Sequence, residues 1–275
     1  MPVLPATWLA RGARLMAGYP NFDLAVSEAG VATVTIDRPD KRNALTVDMW
    51  RQLPVICAEL DRLAELRAVV LTGAGPSFCA GADISSLSED EATMRTVVDA
   101  AERALRQLAV PSIARISGHC MGGGSQLAIA CDLRVADETA SFAVPPARLG
   151  VIYPPSSIRA LTELVGPAWA KRLIFTAERI DAQTALRIGL VEQVVAAAEL
   201  DGAVDELVAS MLPLSPMTQL AGKQLVNLIA DGSDADSAYT DWVLRWRASP
   251  DGAEGPRAFL QRRPPVFGWR RRMGD

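Results

Sequence analysis

Pro111-Ser-Ile-Ala-Arg-Ile116, followed by Ser117-Gly-His-Cys-Met-Gly-Gly-Gly-Ser-Gln126 and Leu127-Ala-Ile-Ala-Cys131, reads as a buried strand, a glycine-rich turn and a helix. Triple glycine at a strand-to-helix junction lets the backbone come close to a bound molecule, with N–H groups left free at the helix start. A second loop of similar character lies upstream. Val69-Val-Leu-Thr72 reads as a short buried strand, ended by Gly73-Ala-Gly-Pro76, and the chain continues through Ser77-Phe-Cys-Ala-Gly81 to Ala82-Asp-Ile84. Neither loop is GxGxxG and neither ends in GK[ST], which excludes the dinucleotide and P-loop readings. Two amides from separate loops aimed at one point would make an oxyanion hole. Either loop alone is equally well explained by tight helix–sheet packing.

Outward from these loops, residues 22–36 alternate as a hairpin would, with a turn at Ser27–Gly30. Met49, Leu53, Ile56, Leu60 and Leu63 predict a helix from about Leu45 to Leu66. The polar run Ser85–Ala92 opens a helix reaching about Leu108, Gly122–Cys131 forms another, and Leu133–Ala136 and Ser141–Ala143 are strands. Strands and helices alternating in this way predict an α/β chain built on a mostly parallel sheet. Beyond Pro154 the pattern turns helical, over Ser157–Leu164, Pro167–Thr176, Ala182–Ile188, Ala203–Met211, Pro216–Asp231 and Ala235–Arg247. The organisation expected is an N-terminal extension at 1–21, loosely packed or disordered, a core at 22–200, and a helical region at 201–275 for oligomerisation and ligand contact.

Composition narrows the chemistry. The chain has 275 residues, a formal net charge of -4 and a single histidine, His119. One histidine excludes His-His-carboxylate centres and HExxH peptidases on this chain, so no metal site is expected. The acidic balance argues against nucleic acid. Arg257, Arg262, Arg263, Arg270, Arg271 and Arg272 form a basic group read as a solvated or partner-facing tail, part of which could meet a phosphate-bearing ligand. Cys57, Cys79, Cys120 and Cys131 lack metal-ligand spacing and read as free buried thiols. With no apolar run of membrane length and no clean secretory signal, a cytoplasmic protein without membrane contact is expected.

Taken together, the loops resemble those of the enoyl-CoA hydratase/isomerase family, the crotonase superfamily. The resemblance runs from Arg38-Pro-Asp-Lys-Arg-Asn-Ala-Leu45 through Phe78–Ile84, Ser117–Asp132, Phe142–Gly150, Leu164-Val-Gly-Pro167 and Ala185–Val195 to Glu254-Gly255 and Ala258–Arg263. It implies a crotonase (ClpP-like) β-β-α spiral core with a C-terminal helical extension. It further implies an acyl-CoA thioester whose oxygen sits against the backbone N–H groups of Ala82 and Gly123. Arg38, Lys41, Arg42, Ala44, Leu45, Ala80, Ala82, Asp83 and Ile84 would lie along coenzyme A. Phe259 and Arg262 would contact it, often from a neighbouring subunit of a homotrimer or dimer of trimers. No cofactor beyond the coenzyme A moiety is implied, and Asp83 is expected to hold its loop by side-chain-to-backbone bonds. His119 reads as a packed, hydrogen-bonded side chain.

The pattern departs from the family's hydratases at the two glutamates that flank the thioester's α and β carbons. The first position, three past the oxyanion glycine, is Gln126, and the second is Pro146. An amide cannot exchange a proton near neutral pH, and proline offers no side-chain donor or acceptor. Decarboxylation of a malonyl-type CoA thioester survives this loss, because losing CO₂ leaves a thioester enolate that the oxyanion hole stabilises without a base. The segment Pro145–Tyr153 resembles the methylmalonyl-CoA decarboxylase branch, which makes Tyr153 the candidate to position the carboxylate or reprotonate the enolate. That branch can place a histidine where Ala82 stands here. Ser156 and Ser157 are further polar candidates, or helix caps. A hydratase or isomerase with its base relocated to Glu89, Asp90 or Glu91 is the alternative, and a non-catalytic acyl-CoA binder is the third reading. Leu87, Met94, Val97, Pro146 and Leu149 are expected to shape the acyl pocket.

Overall fold

The computed structural model of the protein describes residues 14–15, 18–83 and 91–271. Strands β1 (Arg14–Leu15), β2 (Phe22–Val26) and β3 (Val31–Ile36) run antiparallel, and β3 then pairs in parallel with β4 (Ala68–Gly73). The sheet continues in parallel through β5 (Ser112–Ile116), β7 (Leu133–Asp137) and β10 (Gln193–Val195). A second, smaller sheet joins β6 (His119–Met121), β8 (Ser141–Ala143) and β9 (Arg179–Asp181). β4 is buried along its whole length, which is why its sequence is an unbroken apolar run rather than an alternation.

Helices α1 (Val47–Asp61), α2 (Glu91–Arg106) and α3 (Gly123–Ala130) cover one face of the large sheet. Thr46 caps α1, its hydroxyl accepting from Met49 N at 3.3 Å, and the helix ends sooner than the apolar spacing to Leu63 suggested. α4 (Pro146–Leu149) leads to α5 (Pro155–Thr176), which is broken at Gly166 (φ 72°) just before Pro167, where the sequence predicts two helices. α6 (Ala182–Arg187) follows, and α7 (Leu200–Met211) buries Leu200, Val204 and Val208 on the opposite sheet face against Val31, Val70, Ile113 and Val135. The predicted boundary near residue 200 therefore lies between elements that share one packed core. α8 (Pro216–Ala230), α9 (Asp236–Ala248) and α10 (Asp251–Leu260) complete the chain.

Three expectations are corrected. Part of the 1–21 extension is ordered, since Arg14 and Leu15 add a strand to the sheet edge opposite Val26 and Ala25. The turn around His119 contains the strand β6, paired with β8. The basic tail is partly pinned: Arg271 pairs with Asp61 Oδ1 at 2.9 Å and also donates to Leu63 O at 3.0 Å, while Arg263 clasps Glu254 at 2.6 and 2.9 Å. Arg272, Ile84, Leu87, Glu89 and Asp90 lie outside the described residues. Among the described residues, no helix is long and apolar enough to cross a membrane. The four cysteines are free and buried, and burial pushes the thiols of Cys57, Cys79 and Cys131 up to about 12, leaving them inert.

Candidate active site

The two glycine loops are stitched together by backbone hydrogen bonds. Phe78 N donates to Ser117 O (2.7 Å), Cys79 N to His119 O (2.8 Å), and Met121 N back to Cys79 O (2.9 Å). The Arg38–Leu45 segment is sewn to the first loop from its other side: Ala80 N donates to Arg42 O (2.9 Å), Leu45 N to Gly81 O (2.8 Å), and Asp83 N to Leu45 O (2.8 Å). Asn43, fully buried and not singled out from the sequence, locks the junction. Its Nδ2 donates to Ala74 O and Ser77 O at 2.9 and 2.6 Å, and its Oδ1 accepts from Arg38 N at 3.0 Å.

This stitching aims two amides at one place. Gly81 (φ +102°) and Gly122 (φ +53°) stand immediately before Ala82 and Gly123, in a left-handed conformation that a side chain would strain. Neither Ala82 N–H nor Gly123 N–H has a partner among the described residues. A Cβ built on Gly123 would lie 3.3 Å from Ala82 N, and one built on Gly81 would lie 3.3 Å from Gly123 N, so the two amides are close neighbours. Gly123 is also the first residue of α3, whose N-terminal end adds partial positive charge there. Two converging free N–H groups can hold an oxygen that becomes negative during reaction. The ring of Trp50, buried on α1, backs this volume, 2.7 Å from the same Cβ position.

The remaining predicted residues fall in three groups. Arg38 is engaged within the chain, donating to Ala44 O at 2.6 Å and to Asp83 Oδ2 at 2.9 Å. Asp83 thus ties the first loop to Arg38 through this ion pair. Leu45 is 0% exposed, so only its backbone borders the site. Lys41 and Arg42 are exposed at the same rim, and Ala44 and Ala80 are half-buried. Phe259, 83% exposed, and Arg262 stand at the end of α10, apart from these loops. His119 is hydrogen-bonded to Ser77 Oγ through Nδ1 at 3.3 Å; burial first, then Arg42 and Arg179, hold its pKa below the ordinary value.

Pro146 and Gln126, the two positions where the resemblance led to an expected loss of glutamates, fall on α4 and α3. Pro146 is buried as the first residue of α4, and Gln126 projects from the first turn of α3 with Nε2 donating to Ser157 Oγ at 2.9 Å. The Tyr153 hydroxyl lies 3.4 Å from the point where a Gly122 Cβ would stand, one residue before Gly123. Burial, reinforced by the Glu102 carboxyl, pushes the Tyr153 phenol up, so it is protonated and a donor at neutral pH.

Ser157 does not cap α5. It donates to Glu102 Oε1 at 2.6 Å, and Ser156 donates to Asp99 Oδ1 at 2.7 Å. Glu102, on α2, is the functional candidate that the sequence reading missed. It is 5% exposed, and burial, with Asp99 adding to it against hydrogen bonding from Ser157, Ser156 and Gln126, pushes its carboxyl up to about 7. A signal existed in the sequence: Glu102 falls on the apolar stripe of Val98, Ala101 and Leu105. Asp132, by contrast, is structural, accepting from Ser112 N at 2.7 Å and from Lys223 Nζ at 2.7 Å.

Sheet order, paired loops and converging amides define an acyl-CoA thioester-processing enzyme of the crotonase fold. Sequence comparison agrees, because the enoyl-CoA hydratase/isomerase family profile matches residues 26–270. The chain belongs to that family. It is 38% identical over 216 residues to a short-chain-enoyl-CoA hydratase of Clostridium acetobutylicum, covering 75% of this chain and 81% of that protein. It is 30% identical over 251 residues to a carnitinyl-CoA dehydratase of Proteus mirabilis, covering 88% and 96%. Among solved structures, an enoyl-CoA hydratase/carnithine racemase from Magnetospirillum magneticum superposes with a TM-score of 0.85 at 30% identity, covering 92% of this chain and 97% of that one.

Proposed function

We propose that this enzyme decarboxylates a malonyl-type CoA thioester of the methylmalonyl or ethylmalonyl class. The observation that carries the reading is the pairing of an open oxyanion hole with Gln126 and buried Pro146 where the family's hydratases place glutamates. In the step envisaged, the bond from Cα to the carboxylate breaks and its electron pair becomes the thioester enolate. The enolate oxygen is held by Ala82 and Gly123 N–H, CO₂ leaves, and one proton returns to Cα from Tyr153 or a water. Such a reaction needs stabilisation of negative charge more than a base.

Coenzyme A would lie along Arg38–Asp83, with Lys41 and Arg42 at its phosphates and Phe259 and Arg262 contributed across a homotrimer or dimer of trimers. The reading includes a cytoplasmic enzyme with no cofactor beyond the coenzyme A moiety. The protein incubated with methylmalonyl-CoA or ethylmalonyl-CoA should release CO₂, and Tyr153→Phe should slow release while leaving CoA binding intact. No release from either thioester contradicts the reading. A second reading, hydration or isomerisation with a relocated base, draws support from Glu102, whose carboxyl titrates near neutrality. Against it, Glu102 is engaged by the Ser157 hydroxyl, which also accepts from Gln126, and by Gln126 itself. Robust hydration of crotonyl-CoA that is lost in Glu102→Gln would favour this second reading.

A further inference from the structure

We propose that Glu102 is a positioning residue that sets, through Ser157, which end of the Gln126 amide faces the bound acyl group. The inference rests on the acyl-CoA reading of the site and not on which reaction follows.

The hydrogen-bond chain has a direction, and one titratable group stands at its end. Ser157 has a single hydroxyl proton, and it is directed at Glu102 Oε1, 2.6 Å away. Towards Gln126 the serine oxygen therefore offers only a lone pair, and the amide turns Nε2 to it at 2.9 Å; on the acyl-CoA reading, that leaves Oε1 as the end available to the acyl group. With Glu102 ionised, the thioester site faces an acceptor. Protonation of Glu102 reverses the chain. The carboxyl O–H donates to Ser157 Oγ, the serine proton swings to Gln126 Oε1, and the amide flips about its last torsion to present two N–H donors. No backbone has to move. Donors suit an enolate or a carboxylate, whereas an acceptor suits a hydroxyl or a water.

The surroundings keep this choice within reach of neutral pH. Glu102 is buried on α2 with Asp99 one turn back and the neutral Tyr153 phenol nearby, and both disfavour its charge or are disfavoured by it. Among the described residues, no cation is hydrogen-bonded to it, and those on the same cavity are Arg103, Arg106, Arg159 and Lys223. Lys223 of α8 is held by Asp132 at 2.7 Å, and Arg106 of α2 and Arg159 of α5 are drawn to Asp231 at 3.5 and 3.6 Å. Arg103, one residue along α2, is exposed. A cavity of about 770 Å³ between α2, α5 and α8, lined by Glu102, Ser156 and Ser157, provides a route for proton exchange with water.

Acetoacetyl-CoA tests this, because its enolate has its own ultraviolet absorption and needs no turnover. Titrated into the full-length protein between pH 6 and pH 8, the wild type should bind the enolate roughly tenfold more weakly at the upper pH than Glu102→Gln does, the magnitude of one hydrogen bond to a charged group. At pH 6 the two should agree. Ser157→Ala should also lose the difference between pH values, although it keeps the Glu102 charge, and Glu102→Asp should restore it. A wild type and Glu102→Gln with the same pH dependence overturn the proposal. So does a Ser157→Ala protein that retains the wild-type dependence, since the charge alone would then be acting. A wild type that binds no acetoacetyl-CoA at any pH overturns the acyl-CoA reading itself, and this proposal with it.

Discussion

The backbone half and the side-chain half of the thioester site are built differently. The backbone half consists of the amides of Ala82 and Gly123, positioned by interlocking bonds between the two loops and the Arg38–Leu45 segment. The side-chain half consists of Gln126, Pro146, Tyr153 and, behind them, Ser157 and Glu102. The first can accept charge at a carbonyl oxygen whatever the acyl group does. On the proposed reading, the second decides which bond breaks and where a proton goes. Binding geometry is thus carried by glycines and main chain that leave little freedom, and reaction choice by a handful of replaceable side chains.

The largest effect should come from attacking the backbone half. Gly123→Val would put a Cβ 2.7 Å from Trp50 Cζ2 and crowd Ala82 N. The contact with a buried indole makes the change costly for stability as well as for chemistry. A loss of about 1–3 kcal/mol from overpacking, and of about 10²–10³ in rate from the disturbed hole, is expected from denaturation and from thioester turnover. Unimpaired turnover would break the distinction between the halves.

Tyr153→Phe attacks the side-chain half without touching the amides. It should slow CO₂ release by about 10²-fold, the lower end of general-acid contributions, with the affinity for coenzyme A unchanged. Equal losses of rate and of binding would mean that Tyr153 only packs.

Glu102 sharpens the comparison through stability. Its carboxyl titrates near 4.5 when unfolded and is pushed up to about 7 by burial in the fold. Between those values the folded state binds more protons than the unfolded one, so stability falls as pH rises through this window and then levels off. Urea denaturation should show the wild type losing up to about 2–3 kcal/mol between pH 4.5 and pH 7.5, a loss absent in Glu102→Gln. The smallest effect belongs to the rim. Arg38→Ala removes a partly exposed ion pair with Asp83 and should cost about 1 kcal/mol in the same assay, with a modest rise in the KM for the thioester.

The sequence made the backbone half legible because glycine at a strand end and free helix amides leave a mark in the residues themselves. Strand β3 was readable from the alternation of a hairpin, β4, β5 and β7 as short buried strands, α1 from helical spacing, and α2 from the polar run that precedes it. Strands β6, β9 and β10 were not, since three residues are too few for a periodicity; β8, equally short, was read, and β6 sits inside what reads as a turn. The side-chain half was legible only as absences, at Gln126 and Pro146. Ser157 looked like a cap, and Glu102 was passed over although it interrupts an apolar stripe. Their link depends on α2, α3 and α5 meeting in space, a contact between residues 102, 126 and 157 that no local pattern announces.

The most direct test sets two substrates against each other on one preparation, with CO₂ release from methylmalonyl-CoA or ethylmalonyl-CoA measured beside hydration of crotonyl-CoA. An enzyme with an intact oxyanion hole and no flanking glutamates should release CO₂ and leave crotonyl-CoA at the uncatalysed background. Rapid hydration of crotonyl-CoA with no CO₂ from either malonyl-type thioester would contradict it.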